Sequence, residues 1–256
     1  MVTRSARPSG PVERLMRGMV VALCASLAGI LIAACQPQTQ KAASVIEDSL
    51  REKYSRDFKV QSIGGGYGTY DNTTWKATVV PVADPTLSFK ATVKKDLSIV
   101  EDQYVGQLVV RETQYQLQAA LAQTMGAGAF ARVWLDEDSS SSSGPAPVVG
   151  EPGVSPRDFF AANPEYRPVA FIGIEGVPES GETTRQASSA AMALQGVTGR
   201  GKAFVYFGSP EQFRDLASKQ EGMDLDALWM HSLATPDQAV AVEADATGTT
   251  VLSDLK

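Results

Sequence analysis

Three carboxylates, Glu175, Glu179 and Glu182, follow the nearly continuous apolar run at 169–174. Acids at the carboxyl end of a central strand stand where open α/β sheets place ligands, and two neighbouring carboxyls can divide the acid and base work of glycoside hydrolysis. The plainer reading is a polar loop entering a helix, since a helix N-terminus favours negative charge. His231 is the chain's only histidine. It follows Leu228-Trp229-Met230 and reads as the end of a helix, and no Gly-x-Ser-x-Gly turn supplies a serine for it to activate. Gly64-Gly65-Gly66-Tyr67-Gly68 invites a phosphate-loop reading, which requires a following helix and a Gly-Lys-Ser/Thr. An alternating segment follows instead, so the run reads as a hairpin loop, with Tyr67, Tyr70 and Trp75 as a candidate aromatic contact surface. Asp136-Glu137-Asp138 lacks the spaced ligands and turn glycine of a calcium loop. One histidine is a thin supply of transition-metal ligands, and no metal and no cofactor is expected.

A sharper signal lies at the N-terminus. Residues 1–17 are polar and basic, and the seventeen residues 18–34 carry no charge. A basic segment, an apolar segment and then small residues form a secretory signal, and the positive flank stays on the cytoplasmic side. The apolar stretch ends in Leu31-Ile32-Ala33-Ala34-Cys35. This resembles the lipobox of bacterial lipoproteins, with an aliphatic residue at −3, small residues at −2 and −1, and the cysteine at +1. The resemblance covers the first 35 residues and implies cleavage before Cys35, a diacylglyceryl group on its thiol, and an acylated, membrane-held N-terminus on the extracytoplasmic face. An uncleaved span and a plain secretory signal are the alternatives. Seventeen residues reach only the lower limit for crossing a hydrocarbon core of about 30 Å.

The same cleavage changes the charge. Residues 1–34 hold four of the 23 basic and one of the 29 acidic side chains, leaving 19 basic and 28 acidic, a formal −9. Such a domain is a poor match for a phosphate backbone, so no nucleic-acid partner is expected. The acid surplus is also expected to hold the folded part off anionic headgroups, leaving the lipid as its membrane contact. Cys24 lies in the removed segment and Cys35 carries the lipid, so no disulfide is expected in an exported domain where one could form.

The rest of the chain predicts an α+β fold, an antiparallel meander covered by helices and then an α/β portion. Residues 35–41 are the lipidated cysteine and a polar tether. A helix is expected over 42–54, strands over 58–63, 74–80 and 87–94, a helix over 106–125 using Leu108, Val109, Tyr115, Ala119 and Ala122, and a last strand over 130–135. This order is similar to that of small cystatin-like α+β domains. Together these elements define an expected domain over 42–137, and 138–154, rich in Ser, Pro and Gly, reads as a linker or long loop. The second portion, 155–256, opens on a Ser155-Pro156 helix start. A buried strand over 169–174, a helix over 180–194 with Ala187, Ala190, Ala191 and Leu194 inward, and a strand over 203–207 follow. Capped helices from Ser209 and Asp224 and a final strand over 239–244 complete it.

The function expected from these readings is a membrane-anchored extracytoplasmic lipoprotein that binds or scaffolds without catalysis, with a protein or a cell-wall polymer as partner. A cell-surface hydrolase using Glu175, Glu179 or Glu182, with or without His231, is the first alternative. A transporter's solute-binding receptor is the second.

Overall fold

The computed structural model describes residues 38–65, 73–98, 100–126, 128–137, 148–176, 178–179, 181–209, 238–245 and 247–255. Cys35, Tyr67, Tyr70, His231 and the helices expected from Ser209 and Asp224 lie outside the described residues, as does 138–147 of the expected linker. The architecture is α+β, with a four-stranded antiparallel sheet and a five-stranded mixed sheet. The chain divides into two compact units, one formed by residues up to 83 with 91–100, the other by 84–90 with 101 onward.

In the first unit, helix α1 (Gln38–Tyr54) buries Ala42, Ile46 and Leu50. Their i, i+4, i+8 spacing makes one apolar stripe. The chain reverses at Ser55, whose φ is +52°, and enters β1 (Phe58–Gly65), which pairs antiparallel with β2 (Thr74–Pro81). Strands β3 (Phe89–Lys94) and β4 (Val100–Asp102), whose residues 89–90 and 101–102 divide with the second unit, complete the sheet in the order β1-β2-β3-β4. The period-two alternation is realised: Ala77, Val79, Phe89, Ala91 and Val93 are buried, and Lys76, Lys90 and Lys94 face water. The short β4 was not anticipated, because three residues are too few to show a period.

In the second unit the sheet order is β5-β6-β7-β8-β9, comprising β5 (Ala129–Glu137), β6 (Tyr166–Glu175), β7 (Gly201–Gly208), β8 (Gln238–Asp245) and β9 (Gly248–Leu255). Strands β6 and β7 are parallel, and the other three pairings are antiparallel. A parallel pair needs a crossover, supplied here by α4 (Glu182–Thr198). The remaining helices are α2 (Tyr104–Met125) and α3 (Pro156–Ala162), the latter started by Ser155, whose hydroxyl accepts from Asp158 N at 3.2 Å. Leu117 and Leu121 of α2 and Ala187, Ala190, Ala191 and Leu194 of α4 pack with the inward residues of β5 to β8 into one core. The alanines let α4 approach the sheet closely, and Gly201 makes the same allowance, since a Cβ there would lie 2.6 Å from Leu194 Cδ2 and 3.0 Å from the Pro168 carbonyl oxygen.

Three expectations need correction. The division does not fall at 138–154: β5 and β6, on either side of that segment, are hydrogen-bonded neighbours, and α2 and β5 belong to the second unit rather than closing a domain over 42–137. The Ser/Pro/Gly-rich composition belongs to the connection between two hydrogen-bonded strands, and connections of that kind share the composition of linkers. The helix 106–125 is present but turned: Val105, Val109, Thr113, Leu117 and Leu121 are buried, whereas Tyr115 is 74% exposed. The strand over 239–244 is followed by another, β9.

Candidate functional site

The carboxyl end of β6 and the first turns of α4 border a cavity of about 300 Å³. Thr124 and Met125 of α2 form one wall, Ile174 and Glu175 a second, and Arg185, Gln186 and Ser189 of α4 a third. The backbone around it is fixed by hydrogen bonds that extend the sheet: Glu175 N donates to Gly128 O and Gly176 N to Gly208 O, both at 2.9 Å. Gly128 has a steric role here. A Cβ at that position would stand 2.9 Å from Glu175 Oε2, so glycine gives the Glu175 side chain its place.

Of the three sequence-predicted acids, the cavity includes Glu175, while Glu182 is tied up beside it. Arg185 grips Glu182 through both Nε and Nη2, the Nε bond being 2.9 Å, and Gln186 Nε2 donates to Oε1 at 3.1 Å. The hydrogen bond from Arg185 and then that from Gln186 hold the Glu182 carboxyl below the usual carboxylate range. A general acid for glycoside cleavage needs the opposite shift, so Glu182 is placed as a fixed anion. Glu179 is exposed in the turn before α4, where its carbonyl accepts from Glu182 N at 3.0 Å. Sequence reasoning missed Arg185 and Gln186, although Arg at i+3 and Gln at i+4 from Glu182 are the helical spacings that bring side chains together.

The other candidates separate. Trp75 is the second residue of β2 in the first unit, half-buried, with Lys95 Nζ 5.4 Å from its ring centroid. Asp136 and Glu137 are the last residues of β5, opposite Arg167 and Tyr166, and Asp138 lies outside the described residues. A second cavity of about 410 Å³ lies between α2 and residues 153–156, lined by Val105, Leu108, Val109 and Val154 with Arg111, Glu112 and Gln116 at its polar side. Among the described residues no group of three or more His, Cys, Asp or Glu could hold a metal ion.

An aromatic layer on the sheet face opposite α2 and α4 was also missed. Phe130 and Trp134 of β5, Phe171 of β6, and Phe204 and Tyr206 of β7 share it, with Trp134 and Phe204 stacked at 6.5 Å and Phe171 and Tyr206 at 4.5 Å. Burial pushes the Tyr206 hydroxyl up to about 12 and the Arg132 guanidinium down, both because the charged form loses water. Alternation would have shown this layer at 204 and 206, but the apolar run 169–174 conceals which of its side chains face which way.

No family model matches the chain, and no curated protein matches it. Among solved structures, it is similar to the crystal structure of a DUF5037 family protein from Ruminococcus gnavus ATCC 29149, at 16% identity and a TM-score of 0.50. The likeness covers 81% of this chain and 93% of that one. At that identity, what the two proteins are shown to share is the fold.

Proposed function

We propose that the chain is a membrane-anchored extracytoplasmic lipoprotein of a non-catalytic, binding or scaffolding kind. The observation that carries this reading is Leu31-Ile32-Ala33-Ala34-Cys35 standing three residues ahead of α1, behind a basic segment and an uncharged one. A diacylglyceryl group and an acyl chain on one residue give stable attachment, since each buried methylene contributes about 0.8 kcal/mol. Binding is favoured over turnover by the clamped Glu182, whose lowered proton affinity suits a fixed charge holding Arg185 and Gln186, two side chains that line the cavity. The test is fractionation of cells expressing Cys35→Ser. The substituted protein is expected to leave the membrane fraction, and undiminished retention there overturns the reading.

A further inference from the structure

We propose that one end of the first unit, carrying Trp75, Leu97 and the lysines 41, 76, 94 and 95, lies against the anionic headgroup layer of the membrane that holds Cys35. This rests on the lipid-anchored reading above. Helix α1 runs from Gln38 to Tyr54 and β1 returns beside it, as the Tyr54–Phe58 ring contact at 6.0 Å and the bond from Val60 N to Glu47 Oε1 at 2.8 Å require. A 17-residue helix spans about 25 Å and an eight-residue strand about 26 Å, so β1 ends beside the start of α1. There Gly65 pairs with Trp75 and Gly64 with Lys76, and Lys95 N donates to Thr73 O at 2.7 Å. The start of α1, the start of β2 and the β3–β4 turn therefore share one end. Three peptide units join Cys35 to Gln38, a reach of at most about 11 Å. An acylated Cys35 thus holds the start of α1 within that distance of the residue that carries the lipid.

The chemistry of the end suits that position. Lys41, Lys76 and Lys94 are exposed, and Lys95 sits over the Trp75 ring. Indole rings favour the membrane–water interface, where one edge is apolar and the other wet. Leu97 is partly exposed in the turn closed by its N–H to Lys94 O at 2.8 Å, and its φ of +64° is one that leucine rarely adopts. An apolar side chain held in a strained turn is a feature that functional sites retain. The same turn carries one exposed carboxylate, Asp96, bonded to Ser98, so the four lysines leave this end a surplus of positive charge; against the formal −9 of residues 35–256, that surplus is what would orient the molecule at an anionic surface. This departs from the expectation that lipid is the only membrane contact.

The lipidated protein, purified from membranes, is placed in vesicles of phosphatidylglycerol with phosphatidylcholine, and separately in phosphatidylcholine alone. A water-soluble amine reagent then labels the lysines, and mass spectrometry reads each site. Lys76 and Lys94 are expected to react at least about tenfold more slowly on the anionic vesicles, with Lys53 and Lys59 at the far end unchanged and half-molar salt removing the difference. Lys94→Gln, on an exposed side chain, is expected to raise Lys76 labelling there about fivefold. Equal labelling at both ends, with acyl chains present on Cys35 in the same spectra, overturns the docking and leaves the anchor standing. Absence of acyl chains overturns both. Protection in native membranes that vanishes in protein-free vesicles assigns this end to a protein partner and overturns the proposal.

Discussion

At Glu182 a single carboxylate takes three N–H donors from two side chains on the next turn of its own helix, and the consequence is a titration prediction. Its folded pKa is depressed, first by the hydrogen bond from Arg185 and then by that from Gln186. A depressed acid stabilises the fold above its unfolded pKa and loses that contribution as pH falls through the folded value. In a carboxyl-detected NMR titration, Glu182 should therefore titrate below the ordinary glutamate range, and Arg185→Gln should move it back up. Because the Arg185 side chain is 70% exposed and that of Glu182 34%, water screens the pair, the effect on overall stability is expected to be slight, and salt should diminish it. A titration of Glu182 above the ordinary range would instead give the cavity a general acid and revive the hydrolase reading. At this scale the sequence supplies the three acids after 174 but not their arrangement, in which Glu175 lines the cavity, Glu182 is held by Arg185 and Gln186, and Glu179 is exposed. It was silent on Gly128, whose role is the space it leaves for Glu175, a fact that exists only once β5 and β6 are paired.

At the scale of elements, α2 both covers the core and finishes the edge of a sheet. Strand β5 has β6 on one side, and along its other edge Gln118 Nε2 donates to Ala129 O at 2.7 Å while Gln118 Oε1 accepts from Ala131 N at 2.9 Å. One amide side chain thus stands in for a missing strand and occupies backbone groups that would otherwise template association. Gln118→Ala should cost about 1–3 kcal/mol, because two partly buried backbone groups lose their partners. Gln118→Glu keeps the size but cannot donate to Ala129 O, so it too should destabilise, and both losses are readable by urea unfolding. Faster hydrogen exchange at Ala131 N–H in both variants would tie the loss to this edge. Unchanged exchange there would remove Gln118 from that role. The same helix shows why pattern reading stops short. Its length was plain, yet Thr113 and Gly106 lie on the buried side while Tyr115 faces water. An apolar count weighted by Tyr115, Ala119 and Ala122 therefore rotates the helix. By contrast α4 read true, because Ala187, Ala190, Ala191 and Leu194 give one unambiguous stripe.

At the scale of the whole molecule, the composition of 138–154 fits a linker or a long loop alike, and the pairing of β5 with β6 across it decides for a connection within one sheet. Strand β5 matches β6 residue for residue from Ala129 with Ile174 to Glu137 with Tyr166, and side chains from both strands enter the core shared with α2 and α4. Composition reports how well a segment is hydrated, and a strand connection and a domain linker are hydrated alike. The two differ in what happens when the chain is cut. A specific protease site introduced within 139–143 and cleaved in native buffer should give two fragments that elute together as one species of the uncut mass. Cleavage removes the covalent tether and leaves the burial intact, so the nicked protein should melt at a lower temperature, and that temperature should rise with protein concentration because reassembly is now bimolecular. Separation should require denaturant. Fragments that part in native buffer, each keeping its own unfolding transition, would restore the boundary at 138–154 and contradict the pairing of β5 with β6.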